Sequence, residues 1–160
     1  MQLHQSSWPE IEAYLKQSTG LIVPIGSTEQ HGPNGLLGTD AICPEVIAKA
    51  AGDESCVLIG PTFNVCSAQH HLGFPGTITL RPSTMIAALQ DWTTSLTRHG
   101  FDRIYWFNGH GGNIAPVNSA FSEIYSEFSF GRAGSNRKPI RLLLRNWWEL
   151  PGVGDLCREL

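Results

Sequence analysis

Short unbroken apolar runs alternate along this chain with longer stretches whose apolar positions recur every three or four residues. The runs at 20–25, 56–60, 103–107 and 140–144 are five or six residues long, and each is predicted as a buried β-strand. Between them the period changes. Ser7 and Glu10 form a capping box around Pro9, and Trp8, Ile11 and Leu15 follow at helical spacing. Ile42, Val46, Ile47 and Ala50 mark a helix from Asp40 to Ala51, with Pro44 tolerated in its first turn. Ser83 is expected to cap a third helix, striped by Met85, Leu89, Trp92 and Leu96 and ended by Gly100. Asn113 opens a fourth, striped by Ile114, Val117, Phe121, Ile124 and Phe128.

Strands that alternate with helices of this length imply a parallel sheet with right-handed crossovers and helices on its faces, so the class is α/β. Two connections break the rhythm. The segment 61–82 is long and rich in Gly, Pro, Thr and His, which marks a candidate functional loop, and 131–138 is a polar, basic loop. The length of 160 residues fits one domain over 1–160 with a real core, and there is no internal repeat.

Composition then removes several classes of function. A hydrophobic share of 41% is that of a globular protein, and a net charge of -3 offers no basic footprint for nucleic acid. No apolar run approaches the ~18 residues of a membrane span. The start "MQLHQSSWPE" lacks the features of a signal peptide, so a cytoplasmic protein is expected. Cys43, Cys56, Cys66 and Cys157 have neither C-x-x-C nor zinc-ribbon spacing and are expected to be reduced thiols, mostly buried in packing.

The chemistry gathers where two apolar runs end. The first is followed by "GSTEQHGPNGLLGTD", Gly26 to Asp40, and the third by "NGHGGN", Asn108 to Asn113. In an open parallel sheet, ligands bind beyond the carboxyl ends of the strands, and both segments are such exits. Glu29 and His31 follow the first strand, Asp40 starts the next helix, and His110 follows the third strand just ahead of a helix N-terminus. Two carboxylates and two imidazoles suit Zn²⁺ or Mn²⁺ and are open to Fe²⁺. Asp40 has two oxygens and can bridge two ions about 3.5–4 Å apart.

Taken singly, each residue has a plainer explanation. His31 or His110 alone is more often a hydrogen-bonded loop residue than a ligand, Asp40 is simplest as an N-cap, and Glu29 as a solvated carboxylate. Their coincidence at one sheet edge favours a metal site. His70 and His71, paired in a Gly/Pro loop, are weaker candidates, expected either to bind substrate or simply to cover the cavity, while His4 and His99 fit surface or helix-end positions.

The run "PIGSTEQHGPNGLLGTD", the loop "HLGFPGTITL" and "NGHGGN" together resemble the creatininase family, over essentially the whole chain and in the expected order. The resemblance implies a metal-dependent amidohydrolase with a three-layer α/β/α sandwich, two divalent ions and a homo-oligomer, commonly a homohexamer, acting on a small-molecule amide. By position, Glu29, Asp40 and His110 would hold one ion, and His31 and Asp40 the second. The family's second ion also takes a glutamate from a downstream segment, and its proton-transfer histidine lies further on. The residues "WWELPGVGDLCREL" hold no such segment, so a C-terminally incomplete product is expected. Where creatinine amidohydrolase carries an acidic residue, two positions after its equivalent of His110, this chain has Gly112. That form occurs in relatives with other substrates, including formamide hydrolases and a peptidase. His71 is the candidate general base.

Two other classes compete. A nucleotide binder is suggested by "NGHGGN" between strand and helix, but neither G-x-G-x-x-G nor a Walker lysine is present. A catalytically inactive member of the fold is the other, since its fifth ligand is missing.

Overall fold

The computed structural model describes residues 1–130 and 139–159, apart from the side chain of Phe128; the basic loop expected at 131–138 lies outside the described residues. Four parallel strands form the sheet: β1 (Gly20–Ile25), β2 (Leu58–Ile59), β3 (Arg103–Asn108) and β4 (Arg141–Asn146), in the order β2-β1-β3-β4. The register sets Ile25 beside Asn108 and Asn108 beside Asn146, so the carboxyl ends of the three longer strands finish level. The strand at 56–60 is shorter than expected. Cys56 takes a left-handed conformation (φ 57°) that ends the preceding helix, leaving only Leu58 and Ile59 in the ladder.

Period-two alternation divides the sheet between two layers of helices. Leu21, Val23, Ile25, Ile104 and Trp106 face the larger core, packed under α1 (Trp8–Leu15), α3 (Pro82–His99) and α4 (Ile114–Phe130). Ile22, Tyr105 and Phe107 face the other way, against Ala48 of α2 (Thr39–Ser55) and against Trp147 and Leu150. The architecture is a three-layer α/β/α sandwich. A short helix α5 (Val153–Glu159), not anticipated from the sequence, follows β4.

The capping box of α1 forms as expected, with the Ser7 amide donating to Glu10 Oε2 at 2.7 Å. Trp8, however, is 77% exposed, and only Ile11 and Leu15 of its stripe reach the core. α3 begins at Pro82, with Arg81 rather than Ser83 in the cap position, because proline suits a first helical position. Gly100 ends it at φ 111°. Asn113 does not open α4; it closes a 3-10 turn at Gly111–Asn113, and the helix starts at Ile114.

The largest correction concerns α2. Ile42 and Val46, expected on its buried stripe, are 46% and 60% exposed, while Ala41, Pro44, Ala48 and Gly52 are buried. Its inner face is made of the smallest side chains, so the helix lies close on the sheet. A Cβ at Gly109 would come within 1.9 Å of the Asp40 carbonyl oxygen, and one at Gly26 within 2.2 Å of the same atom. Pro44 is the sixth helical residue rather than a member of the first turn, and it has no N–H for the carbonyl four residues earlier. That carbonyl, of Asp40, faces the two glycine strand exits instead. Small residues on both sides thereby set the first turn of α2 directly against the ends of β1 and β3.

No helix among the described residues is long and apolar enough to cross a membrane. All four cysteines are free, but only Cys66 is buried; Cys43 is half-buried, and Cys56 and Cys157 are exposed, which corrects the expectation of packing roles. Burial pushes the Cys66 thiol well above its ordinary range.

Candidate metal centre

Four residues singled out from the sequence meet at the carboxyl edge of the sheet. Asp40 is the second residue of α2 and does not cap it; Gly38 occupies that position. Its carboxylate is turned to two imidazoles, with Oδ1 2.9 Å from His31 Nε2 and Oδ2 2.8 Å from His110 Nδ1. Glu29 is buried, at 4% exposure, which rules out a solvated loop carboxylate. Its Oε2 accepts from Ser27 Oγ at 3.0 Å and lies 3.3 Å from His110 Nε2. Glu29, His31 and Asp40 each offer a ligand atom within 4.8 Å of the others.

The far side of each ring is fixed by backbone. His31 Nδ1 lies 3.1 Å from the Glu29 carbonyl oxygen, and His110 Nε2 lies 2.8 Å from the Ser67 carbonyl oxygen. A carbonyl can only accept, so each of those nitrogens carries the proton. The other nitrogen of a neutral ring is then a lone pair, and in both rings it points at an oxygen of Asp40. Two lone pairs aimed at one carboxylate repel unless a cation stands between them. Without a metal, that cation is a proton. Burial opposes the charged form of His31, yet the Glu29 carbonyl and the Asp40 carboxylate outweigh it and hold its pKa above the usual value. For His110 burial opposes charge too, and the hydrogen bonds to Asp40 and Ser67 with the Glu29 and Asp40 charges raise it. A divalent ion satisfies the same arrangement, because ligating histidines usually donate their other N–H to a carbonyl or carboxylate. The donor set therefore fits a metal.

His70 and His71 border this cluster from a 3-10 turn at Gln69–His71. His71 Nε2 is 3.6 Å from Glu29 Oε1, and Glu29, His70 and His71 form a second group of closely spaced ligand atoms. The His70 ring lies parallel to that of His110, with centroids 6.3 Å apart. The long loop that carries them is tied to the first strand exit by the Gln30 amide donating to Thr77 Oγ1 at 3.2 Å. Thr28 and Ile78 also form a bridge.

Three buried asparagines, Asn108, Asn113 and Asn146, clasp the strand exits together, a role not expected from the sequence. Asn108 Nδ2 donates to the His110 carbonyl at 2.7 Å and to Asn146 Oδ1 at 2.8 Å, and its Oδ1 accepts from the His110 amide at 3.1 Å. Asn113 Nδ2 donates to the Gly26 carbonyl at 2.9 Å and to Asn108 Oδ1 at 3.1 Å. The signal available was that the third and fourth apolar runs are each followed by an asparagine, in "YWFN" and "LLLRN". Gly112 has a local cause as well. A Cβ there would sit 2.4 Å from His110 Nε2 and 2.7 Å from the Ser67 oxygen, so the ring and that carbonyl already fill the space a side chain needs.

An α/β/α sandwich with a nitrogen-and-oxygen donor cluster at its strand exits is the class of protein defined so far. Residues 4–159 match the creatininase family model, described as creatinine amidohydrolase, and the chain belongs to that family. It is 32% identical over 110 residues to 3-dehydro-scyllo-inosose hydrolase of Thermotoga maritima, covering 68% of this chain and 35% of that protein. It is 35% identical over 107 residues to the mycofactocin precursor peptide peptidase of Mycolicibacterium smegmatis, covering 62% and 42%. The chain thus spans less than half the length of these curated relatives. A solved mutant creatininase of Zn–Zn type superposes with a TM-score of 0.83 at 25% identity, over 97% of this chain and 62% of that one.

Proposed function

We propose that this chain is the metal-binding part of a hydrolase that cleaves the C–N bond of a small amide, formamide or cyclic amide. The observation that carries this reading is the pair of imidazole lone pairs converging on the two oxygens of Asp40. Glu29, His31, Asp40 and His110 are the proposed ligands, with Asp40 shared between two sites. Zn²⁺ and Mn²⁺ suit the set best, with Fe²⁺ open to it. A bound divalent ion supplies a Lewis acid that polarises a carbonyl and makes water nucleophilic near neutral pH.

The chain's own residues do the positioning. The Glu29 carbonyl fixes His31 and the Ser67 carbonyl fixes His110, so each ring keeps one nitrogen for the ion. Ser27 orients the Glu29 carboxylate. The relatives named above are hydrolases of different substrates, which supports hydrolysis and leaves the choice of substrate to residues around the site. Gly112 and the apolar Leu72 and Phe74, both exposed, are the candidates for that choice. We further propose a single domain, a cytoplasmic location in keeping with four free thiols, and a homo-oligomer that covers Ile42 and Val46.

The test is metal analysis of the purified chain together with hydrolysis of a panel of small amides and formamides before and after chelation. Activity lost on chelation and regained with Zn²⁺ or Mn²⁺ is expected; hydrolysis indifferent to chelation would overturn the proposal. A second reading, an ion-binding but inactive chain, is favoured by one observation. Glu149, in the 3-10 turn Trp147–Glu149 after β4, is exposed, and the two ligand groups hold no carboxylate but Glu29 and Asp40 among the described residues. Metal bound with every amide left intact is the result that reading expects.

A further inference from the structure

The imidazole of His71 is held by a neighbour whose own orientation is fixed. Gln30 Oε1 lies 2.8 Å from the Gly32 amide, which can only donate, so that atom is the carbonyl oxygen of the side chain. The other end of the Gln30 amide is then an NH₂ group, and it lies 2.8 Å from His71 Nδ1. A donor facing Nδ1 leaves that nitrogen as an acceptor. The proton of the neutral ring must therefore sit on Nε2. This nitrogen faces the metal cluster, 3.6 Å from Glu29 Oε1, a distance too long for a hydrogen bond. Among the described residues this nitrogen makes no hydrogen bond, so its N–H can serve a further acceptor. The backbone that carries the ring is anchored, since the His71 amide donates to the Ala68 carbonyl at 3.0 Å and the His71 carbonyl accepts from the Phe74 amide at 3.0 Å.

We propose that Gln30 is a positioning residue that fixes His71 in its Nε2–H tautomer, so that His71 offers the site a hydrogen-bond donor for a substrate oxygen and not a base. The assignment rests on the hydrolase reading for its purpose, and on the hydrogen-bond chain alone for its geometry. It reverses the role expected of His71 from the sequence, because a base needs a lone pair where this ring carries a proton. A donor aimed at a carbonyl oxygen that gains negative charge stabilises the transition state, and loss of one such donor lowers turnover by about 10²–10³-fold in well-studied cases.

Long-range nitrogen–proton NMR on the full chain with ring-labelled histidine tests it, with the His71 signals assigned by their loss in His71→Gln. The wild type is expected to show a protonated Nε2 and a bare Nδ1. Gln30→Glu keeps the shape and the acceptor for Gly32 but replaces the NH₂ by an oxygen, so it is expected to move the His71 proton to Nδ1. A wild-type ring protonated on Nδ1, or a tautomer unchanged in Gln30→Glu, overturns the proposal. Zn²⁺ binding measured on the same samples separates the two readings. A chain that binds no Zn²⁺ but shows the expected switch sinks the hydrolase reading alone, whereas one that binds Zn²⁺ without the switch sinks the Gln30 assignment alone.

Discussion

At the scale of single residues, the site is defined by which atom of each ring is left free. His31 and His110 both give a proton to a backbone carbonyl and turn the other nitrogen to Asp40, and both have raised pKa values. The sign of the consequence follows directly. A histidine whose pKa is raised on folding contributes stability that is complete below its ordinary value and is lost as pH rises through the folded value. The metal-free chain is therefore expected to melt at a lower temperature as pH climbs above the ordinary histidine value of about 6.5. Metal affinity should move the opposite way, since ligating nitrogens must shed those protons. Thermal melts with and without Zn²⁺ on either side of that value check both directions, and parallel pH profiles would contradict the account. Gly112 gives a second residue-level test. Gly112→Ala places a Cβ 2.4 Å from His110 Nε2. It is expected to lower stability by about 1–3 kcal/mol in urea denaturation, the usual cost of overpacking, and to weaken Zn²⁺ binding.

At the scale of elements, the position of Asp40 depends on how closely α2 approaches the ends of β1 and β3. Gly109→Ala should push the helix away, because the added Cβ meets the Asp40 carbonyl oxygen at 1.9 Å. A loss at the upper end of the ~1–3 kcal/mol range for overpacking is expected, with metal binding lost alongside it. Asn108→Ala removes the clasp between β3, β4 and the His110 segment and leaves four polar groups without that partner. Its expected cost is about 2–4 kcal/mol, measured the same way. These elements also show what the sequence made legible. Short apolar runs placed β1 and β3 almost to the residue, and Glu29, His31, Asp40 and His110, grouped from the sequence, lie together at the carboxyl edge of the sheet. The buried face of α2 was hidden because Ala41, Pro44, Ala48 and Gly52 carry little hydrophobic signal beside Ile42 and Val46. The asparagine clasp was hidden for another reason. Its pairing of Asn108 with Asn146 depends on strand register, which periodicity does not supply.

At the scale of the whole molecule, the sheet is covered unevenly. α1, α3 and α4 pack one face, while on the other Leu143 of the edge strand β4 is 44% exposed and α2 turns Ile42 and Val46 outward. Apolar side chains left in this way favour association, and the proposed homo-oligomer is expected to lose mass in sedimentation when Ile42 and Val46 are both changed to Glu. A wild-type chain that sediments as a protomer would contradict that proposal. The central claim is narrower and concerns the cation between Asp40 and its two histidines. Titration calorimetry of the metal-free chain with Zn²⁺, set beside Asp40→Asn, tests it most directly. The account predicts saturable binding to the wild type and a loss in Asp40→Asn larger than the ~10–100-fold typical of residues that only support ligands. A wild-type chain that takes up no Zn²⁺, or an Asp40→Asn chain that binds it equally well, would contradict it.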